Sequence, residues 1–324
     1  MKYINVAFLL FVLINAILAQ NSNDNLISVD TSYNINSEEI KVKKVFPFAE
    51  RVVAQQVKEV KEFKDIVYRT YGTRNLHLNL FVPEGRNKTY PAVIFIHGGG
   101  WHSGNKSLQY PLAQKISTFG YVTAAVEYRL SGEEKFPAAI IDIKSAIKWL
   151  KLNAEKYSVD TSKIVVSGSS AGGQIASLTG MTNGDPEFED NYLSDKVTSN
   201  VAAILNIDGL VDFTGPESKE FDTDPEKPRS AHIWLGNSFK NNPEIWRYAS
   251  PLYHFNKNCV PVLFINSSNP RYHSGRDALI RLFDENHIYY EMHTIGNTPH
   301  TFWLFHPWFE KTTEYIRGFL NTLF

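Results

Sequence analysis

Short apolar runs recur along the chain, separated by turn residues and helical patterns. Six of these runs predict strands, because a strand buried on both faces of a sheet has a largely continuous apolar sequence. They cover residues 91–96, 121–126, 164–166, 201–207, 260–265 and 289–294. Two earlier segments, residues 65–71 and 76–82, alternate apolar with polar positions and predict an opening hairpin.

Helical patterns lie between these strands. The clearest covers residues 138–156, where apolar residues from Ile140 to Leu150 recur at three- and four-residue spacing and form one stripe. Such alternation predicts an α/β fold, a mostly parallel, doubly wound sheet with helices on both faces and a ligand site at the carboxyl ends of the strands. Residues 209–258 are too long for a simple connection, and we expect a short insertion packed over those strand ends.

The N-terminus predicts an export signal. Lys2 precedes an apolar run over residues 6–14, which is shorter than the about 20 residues that a membrane-spanning helix needs. We expect residues 1–19 to be a signal peptide, residues 20–62 a polar linker with a short helical lead-in, and residues 63–324 one folded domain. The mature protein is then secreted or periplasmic, and an uncleaved anchor is the alternative.

Charge and cysteine usage exclude several kinds of partner. Lys and Arg number 33 against 34 Asp and Glu in 324 residues, so there is no basic excess to neutralise a nucleic acid. After the signal segment no stretch is long and apolar enough to cross a bilayer, so no membrane partner is predicted. Cys259 is the only cysteine, and the ten histidines lack a His-Glu-x-x-His spacing. We predict no disulfide, no metal and no other cofactor, and leave the oligomeric state open.

A predicted buried strand runs directly into a glycine-rich turn at Ser170. Residues 168–172 read Gly-Ser-Ser-Ala-Gly, and a helical pattern follows them. A strand, a Gly-x-Ser-x-Gly turn and a helix in this order are typical of a nucleophile elbow, where a strained serine projects its hydroxyl above the sheet. Ser170 is therefore the predicted nucleophile.

A second glycine-rich segment, His-Gly-Gly-Gly-Trp at residues 97–101, follows the predicted strand at residues 91–96. Successive glycines allow backbone N–H groups to approach a ligand closely, and acyl transfer needs such donors for the negative charge that develops on a carbonyl oxygen. We predict that the amides of Gly98, Gly99 and Ala171 form this oxyanion hole.

The glycine loop and the Ser170 turn together resemble the α/β-hydrolase superfamily. Within it they are most similar to bacterial esterases and lipases of the His-Gly-Gly-Gly group, particularly secreted carbohydrate esterases. Tyr-Arg-Leu at residues 128–130 and Phe-Pro-Ala-Ala at residues 136–139 are further points of similarity, and the resemblance covers about residues 63–320. It implies an α/β-hydrolase fold and a Ser-His-Asp acyl-enzyme mechanism.

A serine hydroxyl needs a base to take its proton, and a late histidine is expected. His300 fits best, because it follows the last predicted strand, where similar proteins carry their base on a loop before the final helix. His306 is the rival, although its position next to the last helix favours a capping or packing role.

The acid that orients the base is less clearly marked. Similar proteins carry an aspartate shortly after the strand that matches residues 260–265, but residues 266–271 here contain no carboxylate. Asp277 is the first downstream candidate, and it preserves the order Ser, Asp, His, so we assign the acid to it. Asp208 and Asp212, at the end of the preceding predicted strand, are the alternatives.

Trp101 and Trp303 lie next to predicted catalytic positions and are predicted to bind substrate, since aromatic faces pack on apolar sugar surfaces; burial in the core is the alternative. The resemblance implies a secreted serine esterase that hydrolyses short-chain esters, acetyl esters above all, on plant polysaccharide such as pectin or xylan. The alternatives are a feruloyl esterase, a general lipase or carboxylesterase, an amidase with the same triad, and a non-catalytic hydrolase-like binding protein.

Overall fold

The computed structural model describes residues 30–324 except 56, 86–88, 190–191 and 219–228. The predicted signal peptide, residues 1–19, lies outside the described residues. No helix among the described residues is both long and apolar enough to span a membrane.

The strands and helices alternate along most of the chain. The strands are β1 (Glu50–Arg51), β2 (Val60–Tyr71), β3 (Arg74–Pro83), β4 (Tyr90–Ile96), β5 (Val122–Val126), β6 (Val159–Ser169), β7 (Ala203–Ile207), β8 (Val262–Asn266), β9 (Tyr290–Thr294) and β10 (Phe305–His306). The α-helices are α1 (Ile35–Lys43), α2 (Tyr110–Ser117), α3 (Ala138–Leu152), α4 (Ala154–Tyr157), α5 (Ala171–Met181), α6 (Ser230–Leu235), α7 (Pro243–Tyr248), α8 (Arg276–Asn286) and α9 (Trp308–Leu323).

Eight of these strands form one sheet in the order β2-β3-β5-β4-β6-β7-β8-β9. The predicted hairpin β2–β3 is antiparallel and joins β5 antiparallel, whereas β5, β4, β6, β7, β8 and β9 are parallel. All residues of β5, β7 and β8 are buried, because helices cover both faces of the sheet. The predicted mostly parallel, doubly wound sheet is confirmed.

The polar N-terminal segment contains a helix and a strand that pack on the rest of the fold. Helix α1 begins at the N-cap Asn34, whose side chain accepts hydrogen bonds from the amides of Asn36 and Ser37. Strand β1 pairs antiparallel with β10 near the C-terminus. Of the residues in α1, only Glu38 and Val42 are buried, so the apolar periodicity that reveals a helix is weak there.

Of the predicted insertion, residues 209–218 and 229–258 are described. Ser230 in it lies beside Gly100, near the carboxyl ends of the strands. Helices α6 and α7 carry Trp234 and Trp246, both buried. The backbone N–H of Val211 donates to Ser274 O at 2.9 Å, which fastens the segment to the loop after β8. It therefore contributes both core and a wall near the strand ends.

A buried ion pair joins the sheet to α3. The side chain of Asp142 on α3 is fully buried and accepts hydrogen bonds from Arg129 Nη2 at 2.9 Å, from the Arg129 backbone N–H at 2.8 Å and from the Tyr71 hydroxyl at 2.7 Å. The ion pair between Arg129 and Asp142 thus has a structural role.

We expect Arg129→Leu to lower the free energy of unfolding by about 3 kcal/mol, because it leaves the Asp142 carboxylate buried without its cation. The control is Arg247→Leu, whose ion pair with Glu244 is exposed, with 48% and 75% of the side chains accessible. It should cost at most about 0.5 kcal/mol. Urea unfolding measures both, and equal losses in the two variants would contradict the role given to the buried pair.

Candidate active site

Ser170 lies at the sharp turn between β6 and α5. Its backbone has φ of 54° and ψ of −122°, a strained conformation for a residue with a side chain. A Cβ on Gly172 would collide with the carbonyl oxygen of Ile96, so glycine is required for α5 to approach β4 this closely. The turn presents the Ser170 hydroxyl above the carboxyl ends of the strands, as the sequence pattern predicts.

His300 lies between Ser170 and Asp208. Its Nε2 is 2.8 Å from Ser170 Oγ, and its Nδ1 is 2.7 Å from Asp208 Oδ2. Because an ionised carboxylate only accepts hydrogen bonds, Nδ1 carries the proton and Nε2 is free to accept the serine proton. This geometry supports the roles predicted for Ser170 and His300, which stay predictions until activity is measured.

Asp208 follows β7 directly, and its side chain is fully buried. Ser267 donates twice to it, from its backbone N–H to Oδ1 at 2.9 Å and from its hydroxyl to Oδ2 at 2.7 Å. Burial by itself would raise the pKa of Asp208, but the nearby His273 ring and the bonds from His300 and Ser267 outweigh it and hold this pKa at about 2. The carboxylate is therefore ionised at neutral pH.

The assignment of the acid to Asp277 is wrong. Asp277 lies in the first turn of α8 with 68% of its side chain exposed, and it pairs with its neighbour Arg276 at 2.8 Å. Asp212, the other alternative, accepts from the backbone and the hydroxyl of Thr214. The sequence signal for Asp208 is its place immediately after a buried strand, which identified it as an alternative but could not rank it first.

The glycine loop lies beside Ser170. A Cβ on Gly98 would lie 3.0 Å from Ser170 Cβ. This distance is shorter than ordinary packing allows and explains why glycine occupies position 98. His97 Nδ1 donates to Gly98 O at 2.7 Å, and burial lowers the pKa of His97 to about 4, so this ring stays neutral. Gly99 and Ala171 line the cavity above Ser170, and Gly98 is not among its lining residues. Ala171 begins α5, where a first-turn N–H has no partner within the helix.

The two predicted substrate-binding tryptophans are core residues. Trp101 lies at the cavity wall but is only 4% exposed, stacks on Trp234 at 5.1 Å between ring centroids, and donates from Nε1 to Gln174 at 2.9 Å. Trp303 is 1% exposed and places its ring edge-on to His300 at 5.3 Å. The structure therefore favours the alternative of burial in the core for both rings, although Trp101 keeps a small exposed surface in the cavity lining.

His306, the rival base, lies in β10 and its Nδ1 is 2.6 Å from Glu310 on α9. Both side chains are roughly half exposed, at 43% and 55%. The structure therefore gives His306 a surface ion pair and does not bring it to Ser170.

A cavity of about 580 Å³ opens above Ser170, within the size range of small-molecule sites. One wall comes from the N-terminal segment, which sequence reasoning treated as linker and lead-in. Facing it are residues of the insertion and of the loop after β8. The lining residues that the sequence analysis did not predict are Ser32, Tyr33, Glu38, Lys41, Val42, Val45, Phe46, His102, Leu210, Ser230, Arg271, Tyr272, Pro299 and Thr301.

The N-terminal wall is fastened to the glycine loop. The backbone N–H of Tyr33 donates to Ser103 Oγ at 2.7 Å, and Glu38, which is 6% exposed, pairs with Lys41 at 2.6 Å. No motif marks these residues, because they reach the cavity only through the docking of a polar segment on the folded domain.

We expect Asp208→Asn to slow covalent labelling of Ser170 by a fluorophosphonate about 10³-fold, because the amide cannot hold His300 in the required tautomer. Asp277→Asn is the matched control and should change the rate by less than about twofold, since its side chain is solvated and remote from His300. Labelling is measured by intact-protein mass spectrometry, with unfolding midpoints compared. A large loss in the Asp277 variant would restore the original assignment.

The chain is similar to known esterases in sequence and in fold. The model of the BD-FAE family matches residues 78–272. Esterase LipC of Mycobacterium tuberculosis is 31% identical over 198 residues, which are 60% of this chain and 46% of that protein. Probable carboxylic ester hydrolase LipM of the same organism is 29% identical over 208 residues, 63% of this chain and 47% of that protein. The chain thus spans about half the length of the curated relatives it matches.

Solved structures share the fold. A truncated carbohydrate esterase from gut microbiota superposes with a TM-score of 0.67 at 19% identity, over 82% of this chain and 98% of that one. The propionate-bound esterase Est2 of Thermogutta terrifontis superposes with a TM-score of 0.64 at 23% identity, over 82% of this chain and 94% of that one. The family match covers more than half of the sequence, and it agrees with the parallel sheet and with the serine at a strand-to-helix turn. The chain therefore belongs to the BD-FAE family and has an α/β-hydrolase fold.

Proposed function

We propose that this protein is a carboxylic ester hydrolase that uses Ser170 as its nucleophile. The observation that carries the proposal is the unbroken hydrogen-bonded series from Ser170 Oγ through His300 to Asp208, at 2.8 and 2.7 Å, beneath an open cavity. A serine hydroxyl held in this way is activated for attack on a carbonyl carbon.

In the first half of the reaction, Ser170 Oγ attacks the ester carbonyl while His300 Nε2 takes its proton. The amides of Gly98, Gly99 and Ala171 are proposed to hold the negative oxygen of the tetrahedral intermediate. His300 then gives the proton to the departing alcohol oxygen, and the ester bond breaks to leave an acyl group on Ser170.

In the second half, His300 takes a proton from water, and the resulting hydroxide attacks the acyl carbon. Collapse of the second tetrahedral intermediate releases the carboxylic acid, and the proton returns to Ser170. Asp208 stays ionised throughout and stabilises the imidazolium that forms twice in each cycle.

For the substrate, we propose a short acyl group, acetyl above all, carried on a plant polysaccharide such as pectin or xylan. The mixed lining of the cavity supports this proposal. Glu38, Lys41 and Arg271 supply polar groups for sugar hydroxyls, next to apolar walls from Val45 and Phe46. The name of one structural neighbour, a carbohydrate esterase, points the same way, although at 19% identity it establishes the fold alone.

A feruloyl ester is the second candidate, because Tyr33, Phe46 and Tyr272 bring aromatic rings to the same cavity. A general carboxylesterase would use the same triad with less selectivity for the alcohol part of the ester. The non-catalytic alternative loses its main support, since the carboxylate missing after β8 is replaced by Asp208.

We expect the wild-type protein to release acetate from acetylated xylan or acetylated pectin faster than ferulate from feruloylated oligosaccharides, and to hydrolyse an aryl acetate. Ser170→Ala should lower aryl acetate turnover by about 10⁴-fold or more, because it removes the nucleophile. A loss of only a few-fold would show that the observed hydrolysis does not depend on Ser170. Faster release of ferulate would favour the second candidate.

We also propose that the protein is exported and that its signal peptide is removed after Ala19. The proposal depends on the apolar run and small residues before Gln20. Expression in a secreting host should yield extracellular or periplasmic protein whose N-terminal peptide begins at Gln20, as measured by mass spectrometry. Protein that remains in the membrane fraction with Met1 intact would instead indicate an uncleaved anchor.

A further inference from the structure

The 3₁₀ turn Pro270–His273, after β8, lies against the base and the acid of the proposed triad. The resemblance to carbohydrate esterases implies an acid in this loop, but residues 266–271 contain no carboxylate. Here the loop places the ring of Tyr272 on His300 and the ring of His273 near Asp208, with His273 Nε2 3.6 Å from Asp208 Oδ1. The loop that lacks the acid therefore still contacts both partners of the pair.

Hydrogen bonds hold this turn at both ends. Before it, Asn269 caps the turn by accepting from the Arg271 N–H at 3.1 Å, and the Asn269 N–H donates to Ser267 Oγ at 3.3 Å. After it, Ser274 O accepts from the N–H groups of Val211 and Asp212 at 2.9 and 3.1 Å. The turn that carries Tyr272 is thus linked, through Asn269, to the same Ser267 that binds Asp208.

The contact between Tyr272 and His300 is a face-to-face stack. Their ring centroids are 3.4 Å apart and their planes differ by 8°. Trp303 meets the same imidazole edge-on at 5.3 Å and 89°. A ring that is stacked on one aromatic ring and perpendicular to a second has little freedom to rotate away from the line between Ser170 and Asp208.

The stack also stabilises positive charge on the His300 ring by electrostatic attraction. The face of a phenol ring carries negative electrostatic potential, which attracts a cation held over it. His300 becomes such a cation each time it takes a proton from Ser170 or from water. Burial raises the pKa of Tyr272, so its hydroxyl stays neutral and its ring keeps this character through the cycle.

We propose that Tyr272 is a positioning residue, whose ring holds the His300 imidazole in line with Ser170 and Asp208 and stabilises its protonated form. The proposal depends on the function proposed above. In this proposal Tyr272, which lies outside the triad, shares with Asp208 the role of orienting His300.

Several ionisable groups face this pair from the elements packed around it. Ser170 and Asp208 bond to His300 directly, and His273 lies against Asp208. Glu38 of α1 and Arg271 of the turn line the same cavity as Tyr272. A shift in pH dependence must therefore be separated from the titration of His273 and from a general change in the cavity wall.

The experiment compares Tyr272→Leu and Tyr272→Phe with the wild type in kcat, KM and the pH dependence of kcat/KM on an aryl acetate. We expect the leucine variant to lose about tenfold in kcat. The acidic limb of its kcat/KM profile against pH should move to lower pH, because the positively charged imidazole is less stable without the stack. Tyr272→Phe keeps the ring and should retain both kcat and the position of the limb.

Tyr33→Leu is the matched control, because Tyr33 lines the same cavity from the N-terminal segment. It should change KM without moving the acidic limb. The downward shift caused by Tyr272→Leu must also persist in a His273→Gln background. If the shift disappears there, the limb belongs to His273 and the proposal is overturned.

The proposal is also overturned if Tyr272→Leu keeps the wild-type kcat and acidic limb, or if Tyr272→Phe is as impaired as Tyr272→Leu. Should the leucine variant fail to fold, Tyr272→Met replaces it with a side chain of closer length. A wild-type protein that neither hydrolyses aryl esters nor reacts with a fluorophosphonate would refute the proposed function instead. The two failures are therefore distinguishable.

Discussion

The burial of the Asp208 carboxylate is the constraint on which the rest of the site depends. A buried charge is stable only when hydrogen bonds replace the water that it has lost. Two bonds from Ser267 and one from His300 do this, and together with the adjacent His273 they keep the pKa at about 2. The carboxylate therefore remains charged in an interior where an unpaired acid would be neutral, and this charge fixes the tautomer of the base.

The sheet makes this arrangement possible by aligning the ends of three adjacent strands. The Ser170 N–H donates to Ile207 O at 2.8 Å. Asp208, which follows Ile207 in the chain, donates from its N–H to Ile265 O at 2.9 Å. Ser267 follows shortly after Ile265 on β8. Backbone hydrogen bonds thus set Ser170, Asp208 and Ser267 in one row. Parallel strands in this register bring their carboxyl ends to one edge, where the amides of the glycine loop also lie.

The cavity above this row is assembled from segments distant in sequence. The N-terminal segment is fastened at Ser103 and, through β1, at β10. The segment after β7 reaches across to the glycine loop, where a Cβ on Gly100 would meet Ser230 Oγ at 2.9 Å. Ser170 and Asp208 thus lie at the ends of sheet strands, whereas much of the cavity wall above them comes from segments laid over the sheet.

The sequence by itself determined the eight strands of the large sheet, though not β1 and β10, and also the doubly wound fold, the Ser170 turn and the glycine loop. Each follows from a local pattern: continuous apolar runs require burial on both faces, and glycines at fixed spacing permit one sharp turn. Only the tertiary structure decided that Asp208 rather than Asp277 bonds to His300, a residue 92 positions away. It also decided that Trp101 and Trp303 pack in the core and that Tyr272 covers the base. These outcomes depend on which strands are neighbours and on how loops dock across them, and neither the spacing of residues along the chain nor their chemical type encodes that lateral order.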